Sequence, residues 1–283
     1  MSGAEDALLA ALTADATAFL LSHEQNRVSA EDAMRDDLVG LPLYDAPIFA
    51  VAAADDPLFL ALRAPDAVHP DYPLPGDWVT GAKSVLSFFV PFTARVREAN
   101  AKSPRKMPAD EWLHARYEGE TMLRLLRAFV RDWLAARGYP SVAPLQDERY
   151  RMLAEFAPAW SERHTAYICG LGTFGLSKGL ITGKGVAGRL GSVVTACPLP
   201  VIKRPYEDRY AYCAKCGRCA ANCPVRCIDP SRGPDKAKAH PPCSAFLKHI
   251  EGQPPRGKSR CKRYGCGKCQ VNVPCQDRIP TSC

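Results

Sequence analysis

Cys213, Cys216, Cys219 and Cys223 stand at gaps of two, two and three residues, and Pro224 follows the last of them. Thiolates bind soft metals. At this spacing three sulfurs hold one [4Fe–4S] cluster and the fourth reaches a second cluster. The short spacers wrap backbone amides around the cluster sulfurs, and the proline ends the turn. Two CxxC pairs alone would also suit a zinc ribbon, but four cysteines this close crowd a single tetrahedral ion. The chemistry expected here is therefore one-electron transfer through iron and sulfide.

Two clusters need eight thiolates. A looser motif, "YGCGKCQVNVPC", adds Cys266, Cys269 and Cys275 at gaps of two and five. Cys243, in "PPCSAFLKHI", is the eighth ligand expected, with Cys261 as its rival. A pseudo-symmetric arrangement gives Cys213, Cys216, Cys219 and Cys275 to one cluster, and Cys223, Cys243, Cys266 and Cys269 to the other. Cys169, Cys197, Cys227, Cys261 and Cys283 are left over and read as small buried or idle thiols. None of the thirteen cysteines precedes Cys169, and eleven fall from Cys213 onward. In a reducing compartment that concentration argues for metal ligation over disulfides.

A second stretch with chemical meaning is "GLGTFG", Gly170 to Gly175. Gly-x-Gly-x-x-Gly spells a dinucleotide fingerprint, which needs a strand before it, a helix after it and an acid about 20 residues on. The preceding "APAWSERHTAYIC" is not an apolar strand. Gly179, Gly183, Gly185 and Gly188 would weaken any following helix, and no Asp or Glu lies between Glu162 and Glu207. A nicotinamide cofactor is not expected. The stretch reads instead as a glycine-rich, acid-free loop whose backbone can come close to something flat or anionic.

These groups need elements to hold them. The 283 residues, 47% hydrophobic, suffice for one large domain or for a medium and a small one. The first 35 or so residues read as one or two amphipathic helices. "APIFAVAAADD", "SVLSFFVPF" and "GSVVTA" read as strands. A long helix is expected from Asp110, as its cap, to about Arg137, where Gly138 and Pro140 stop it. Strands separated by helices imply an α/β body over residues 1–206, and a cysteine-rich module over 207–283. No apolar run of membrane length and no export signal is seen, so a cytoplasmic protein without membrane contact is expected. Between Cys213 and Cys283 there are 14 Lys and Arg against 4 Asp and Glu, a formal +10, which leaves −3 for the rest of a chain of net +7. Two oxidised clusters with eight thiolates carry about −4. The module would stay positive, which suits an acidic electron carrier at least as well as RNA.

Several features in order resemble the epoxyqueuosine reductase and reductive dehalogenase superfamily of cobalamin- and iron–sulfur-dependent reductases. They are "EFAPAWSERHTAYICGLGTFGLSKGLITGKG", then "GSVVT", the cysteine run ending in proline, Cys243 and "GCGKC". The likeness covers roughly Glu155 to Pro280. It implies an α/β (α+β) body resembling a nitroreductase-like cobalamin-binding domain, followed by a ferredoxin-like domain with two [4Fe–4S] clusters. It also implies that the glycine loop packs against a corrinoid, placing Gly170, Gly172, Thr173, Gly175, Gly191, Ser192 and Thr195 at the cofactor. No Asp-x-His-x-x-Gly motif offers a lower cobalt ligand, which matches the base-off cofactor of that superfamily. Glu155, in "EFAP", stands where the tRNA-acting reductase has its proposed proton donor, one methylene longer here. The chain ends eight residues after Cys275, with no extension to grip tRNA, so a small-molecule substrate is expected ahead of tRNA.

The expected protein is thus a corrinoid- and iron–sulfur-dependent reductase, fed by an external acidic donor such as flavodoxin or ferredoxin, with the proton delivered by a carboxylate, for which Glu155 is the candidate, or by a tyrosine. The competing readings are a non-catalytic ferredoxin-type electron-transfer protein and a reductase with flavin in place of the corrinoid. His164, beside Arg163, reads as a hydrogen-bonded structural histidine. Trp160 and Tyr167 read as core or pocket wall, and the basic run Arg256 to Arg263 as a solvated loop.

Overall fold

The computed structural model describes residues 3–258 and 262–281, so Cys261 and Cys283 lie outside the described residues. The chain opens with α1 (Gly3–Ser22), β1 (Ile48–Ala53), the short helices α2 (Pro57–Ala61) and α3 (Pro75–Trp78), and β2 (Ser84–Pro91). Next come α4 (Ala94–Lys102), α5 (Asp110–Ala135), β3 (Ser141–Val142), β4 (Met152–Ala154), β5 (Ala157–Pro158) and α6 (Glu162–Cys169). β6 (Gly172–Phe174), β7 (Leu180–Thr182) and β8 (Gly188–Thr195) complete the strands. The cysteine-rich segment carries α7 (Arg218–Asn222), α8 (Gly233–Lys236) and α9 (His240–Glu251).

A four-stranded sheet of order β1-β2-β8-β3 is the frame of the body. All three pairings are antiparallel, with Ile48 opposite Phe89 and Ser84 opposite Thr195. The mixed α/β composition is as expected. All eight residues of β2 are buried, because helices cover both of its faces. On one face α1 (Leu12, Ala16, Leu20) and α5 (Trp112, Met122, Leu126, Val130) pack with Leu86 and Phe88. On the other, α6 packs with Phe59, Tyr72, Trp160, Val85 and Val194.

α5 follows from its sequence. Trp112, Met122, Leu126 and Trp133 recur on one face at helical spacing and are buried. Its N-cap is Ala109, not Asp110. Asp110 sits one residue inside, where its carboxylate suits the helix N-terminus and pairs with Arg35 at 2.6 Å and Arg256 at 3.1 Å.

The cysteine-rich segment is tied to the body. Ile250 and Val271 are buried in the same core as α1 and α5. Arg263 is inside, its Nε donating to Glu118 Oε1 at 2.8 Å, with His114 on the other carboxylate oxygen at 3.1 Å. Burial alone would raise the Glu118 carboxyl, but the His114 and Arg263 hydrogen bonds hold it below the ordinary carboxylate range. Removing one partner of such a pair typically costs about 3–5 kcal/mol. The basic run is therefore not simply solvated. Arg256 donates to Pro108 O, and Lys268 is buried with Nζ on Asn100 O, Ser103 O and Ser103 Oγ.

Candidate functional site

The cysteines gather in two places. Cys213, Cys216, Cys219 and Cys275 line one cavity, together with Leu176, Ile181, Lys215 and Val273. Cys223, Cys243, Cys266 and Cys269 line a second, of about 160 Å³, together with Trp112, Arg116, Lys238 and Phe246. The two sets adjoin: Cys213, Cys219, Cys223, Cys243 and Cys269 all pack on one apolar cluster centred on Leu176 and Ile228. Cys227, read from sequence as idle, lines the second cavity too, with its Sγ 3.5 Å from that of Cys223. Cys169 and Cys197 are buried away from both, in the two cores of the body.

Local backbone explains the grouping. Gly217 (φ 72°) and Lys215 (φ 55°) turn the chain back between successive cysteines of the first run. Gly267 (φ 66°) does the same between Cys266 and Cys269, in the left-handed region that favours glycine. Among the described residues no three His, Cys, Asp or Glu side chains converge as a single ion would require; the sulfurs surround cavities instead. Burial pushes the Cys219, Cys266 and Cys275 thiols up to about 12, with neighbouring sulfurs adding to the shift of each. Sulfurs gathered four and five to a cavity suit a cationic iron–sulfur core, which would hold four of each set as thiolates.

The glycine loop folds as a hairpin, β6–β7, and its glycines serve the chain itself. A Cβ on Gly172 would lie 2.0 Å from Ile181 O, and one on Gly191 would lie 2.4 Å from the Phe88 ring. Gly175 has Ile181 Cδ1 at 3.3 Å in the same sense. Gly170 (φ 98°) caps α6 in the left-handed conformation. Thr173, Ser192 and Thr195 are fully buried. Each has a partner within the chain: Tyr212 N donates to Thr173 Oγ1, Trp160 Nε1 to Ser192 Oγ and Cys197 N to Thr195 Oγ1. The space that a missing Cβ would leave for a flat ring is thus already filled at Gly172 and Gly191.

Glu155 lies elsewhere, exposed at the tip of the β4–β5 hairpin. Its neighbour Phe156 (φ 63°) is 44% exposed, and its ring lies 5.4 Å from His240 at the start of α9. Arg163 Nη1 donates to Lys178 O, tying α6 to the loop between β6 and β7, and Arg163 feels the charge of Cys243. The hairpin tip, Arg163, Lys178 and the start of α9 thus lie near one another, close to Cys243 of the second cysteine set.

His164 contacts Phe174 and Ser161 here, at 5.2 Å between rings and 2.7 Å from Nδ1 to Oγ. Burial pushes it down to about 4, and Arg163 and Lys178 push the same way. A histidine depressed on folding adds stability above its unfolded value of 6.5, and this is lost as pH falls toward 4. Unfolding free energy is expected to drop by roughly 3 kcal/mol over that window from this group. Denaturant titrations at a series of pH values check this, and His164→Gln should flatten the slope.

No protein-family model matches the chain, and no curated protein does. Solved structures do. A selenomethionine-labelled epoxyqueuosine reductase superposes with a TM-score of 0.50 over 81% of this chain and 61% of its own, at 20% identity. The fold is that of epoxyqueuosine reductase. An epoxyqueuosine reductase with an epoxyqueuosine-modified tRNA stem loop gives 0.49 at 19% identity, over 81% of this chain and 61% of that one. A catabolic reductive dehalogenase in complex with 3-bromo-4-hydroxybenzoic acid gives 0.49 at 14% identity, over 83% of this chain and 30% of its own. The chain thus spans about three fifths of the length of the epoxyqueuosine reductases it matches. Among the described residues no helix is long and apolar enough to cross a membrane.

Within this epoxyqueuosine reductase fold one buried group escaped the sequence reading. Glu162 Oε2 accepts from Ser192 Oγ at 2.6 Å, and its other oxygen faces Arg127 Nε at 3.6 Å. Burial raises the Glu162 carboxyl, with Arg127 working against it. Arg127 continues to Glu120 at 3.2 Å, and Glu120 to Arg189. The signal was the acid immediately before Arg163, but only the fold puts the Arg127 partner 35 residues earlier in sequence beside it.

Proposed function

We propose that the protein is an iron–sulfur reductase of the epoxyqueuosine reductase and reductive dehalogenase type. The observation that carries this reading is the gathering of nine cysteines, four and five, around adjoining cavities, inside a fold shared with such a reductase. Cys213, Cys216, Cys219 and Cys275 would hold one [4Fe–4S] cluster, and Cys223, Cys243, Cys266 and Cys269 the other. Bound there, the clusters would supply one-electron transfer. Cys216 is exposed and flanked by exposed Lys215 and Arg218, a surface suited to an acidic carrier such as flavodoxin or ferredoxin. The second set lies near Arg163, which neighbours Lys178 and His240, and Glu155 stands on the hairpin tip that reaches His240.

There, the exposed Glu155 carboxyl would hold and donate the proton that a reduced substrate takes up. Arg163 and Lys178 would orient an electron-rich or anionic group of the substrate. A small molecule reaches this carboxylate directly, and a nucleoside displayed on tRNA would have to be splayed out to do so. A corrinoid held near these residues would supply the reducing centre, with Gly172 and Gly191 giving it no space through a missing Cβ. The pure electron-transfer reading leaves the acid-bearing hairpin without a role.

Anaerobic reconstitution tests the proposal. About eight iron and eight sulfide per chain are expected, with two one-electron signals by EPR. Stoichiometric zinc without sulfide would overturn it.

A further inference from the structure

The second cysteine cavity differs from the first in what the body contributes to it. α5 crosses it with Trp112 and Arg116, one helical turn apart. Trp112 is 1% exposed, and its Nε1 is buried with no hydrogen-bond partner. The indole lies against Gly267, between Cys266 and Lys268, closely enough that a Cβ there would be 2.6 Å from Nε1. A buried N–H without an acceptor costs about 1–3 kcal/mol, so an acceptor belongs in this cavity. Arg116 stacks over Tyr264 at 5.2 Å and has no ion pair among the described residues. Burial, then Arg189, lowers it to about 10. Lys238 lines the same cavity and acts on Cys269 and Cys227. The first cavity receives nothing comparable: Cys216 is exposed, and so is the one basic residue on its lining, Lys215.

We infer that Trp112 and Arg116 are tuning residues, which raise the reduction potential of the cluster held by Cys223, Cys243, Cys266 and Cys269 above that of the cluster held by Cys213, Cys216, Cys219 and Cys275. This rests on the two-cluster reading. A [4Fe–4S] cluster with four thiolates carries about −2 when oxidised and −3 when reduced. A nearby cation and an N–H donor to sulfur favour the more negative state, and solvent exclusion strengthens both. With both clusters bound, an electron would run downhill from the solvent-exposed set to the second set, near Glu155 and Arg163.

The test is an EPR-monitored potentiometric titration of the anaerobically reconstituted full chain, with Cys216→Ala used to identify the signal of the second cluster. In Arg116→Gln the ratio of reduced to oxidised second cluster, at the potential where the wild type is half reduced, should fall about tenfold, equivalent to about 59 mV for one electron. The first cluster should not move. Arg116→Lys should retain most of the wild-type ratio, and Trp112→Phe, which keeps a ring in the core, should shift in the same direction as Arg116→Gln. Iron and sulfide near eight per chain with an unmoved second cluster, or with both clusters moved equally, would overturn this inference alone. Iron and sulfide well short of eight in the wild type would overturn the two-cluster reading with it.

Discussion

Cys219→Ala should leave about four iron and four sulfide per chain where the wild type holds about eight, because a cube deprived of one thiolate there has no other sulfur to take. Cys219 lines only the first cavity, where four sulfurs serve four positions. The second cavity has a spare. Cys227 stands 3.5 Å from Cys223 there, and five sulfurs line a space that needs four. Cys227→Ala should accordingly keep about eight iron. Cys243→Ala should lose the second cluster, or keep a labile one through Cys227. The double variant Cys227→Ala/Cys243→Ala should lose it outright. Metal binding at such sites is also folding free energy, so soluble yield should follow the iron content. If Cys227→Ala lost a cluster as completely as Cys243→Ala, the ligand assignment would be wrong.

Gly172→Val should destabilise the protein by about 3 kcal/mol or more, with no ligand needed to see it. The new Cβ would stand 2.0 Å from Ile181 O, a backbone atom of the paired strand, and could be relieved only by opening the β6–β7 hairpin. Overpacking of this kind against backbone lies at the upper end of what core insertions cost. Thermal unfolding of the anaerobically purified variant, compared with wild type, measures it. Gly183→Ala is the control, since a Cβ there meets nothing within 4 Å. Wild-type melting of Gly172→Val coupled with lost cobalamin binding would return that glycine to the cofactor.

Both results turn on how far apart in sequence the deciding contacts lie. Thiol chemistry was legible in the sequence, because gaps of two and three residues confine four sulfurs to one turn of chain. The strands β1, β2 and β8 and the helix α5 were legible for a similar reason: apolar runs and helical spacing are local signals. The purpose of each glycine was not. "GLGTFG" carries no mark showing that Ile181 O will fill the space at Gly172, since that contact exists only after the hairpin closes. Nor does a basic run show which of its charges will be buried. Arg263 reads as solvated until Glu118, 145 residues earlier, is brought against it, and a cation enters a core only with such a partner. Cys227 is the clearest case. Sequence spacing leaves it outside every motif, and tertiary packing sets it among the sulfurs, because the turn after Pro224 leads the chain back along the same cavity. The sequence by itself determined which chemistry this protein can carry; the fold decided which residues stand close enough to take part, because desolvation and contact depend on neighbours that local spacing does not specify.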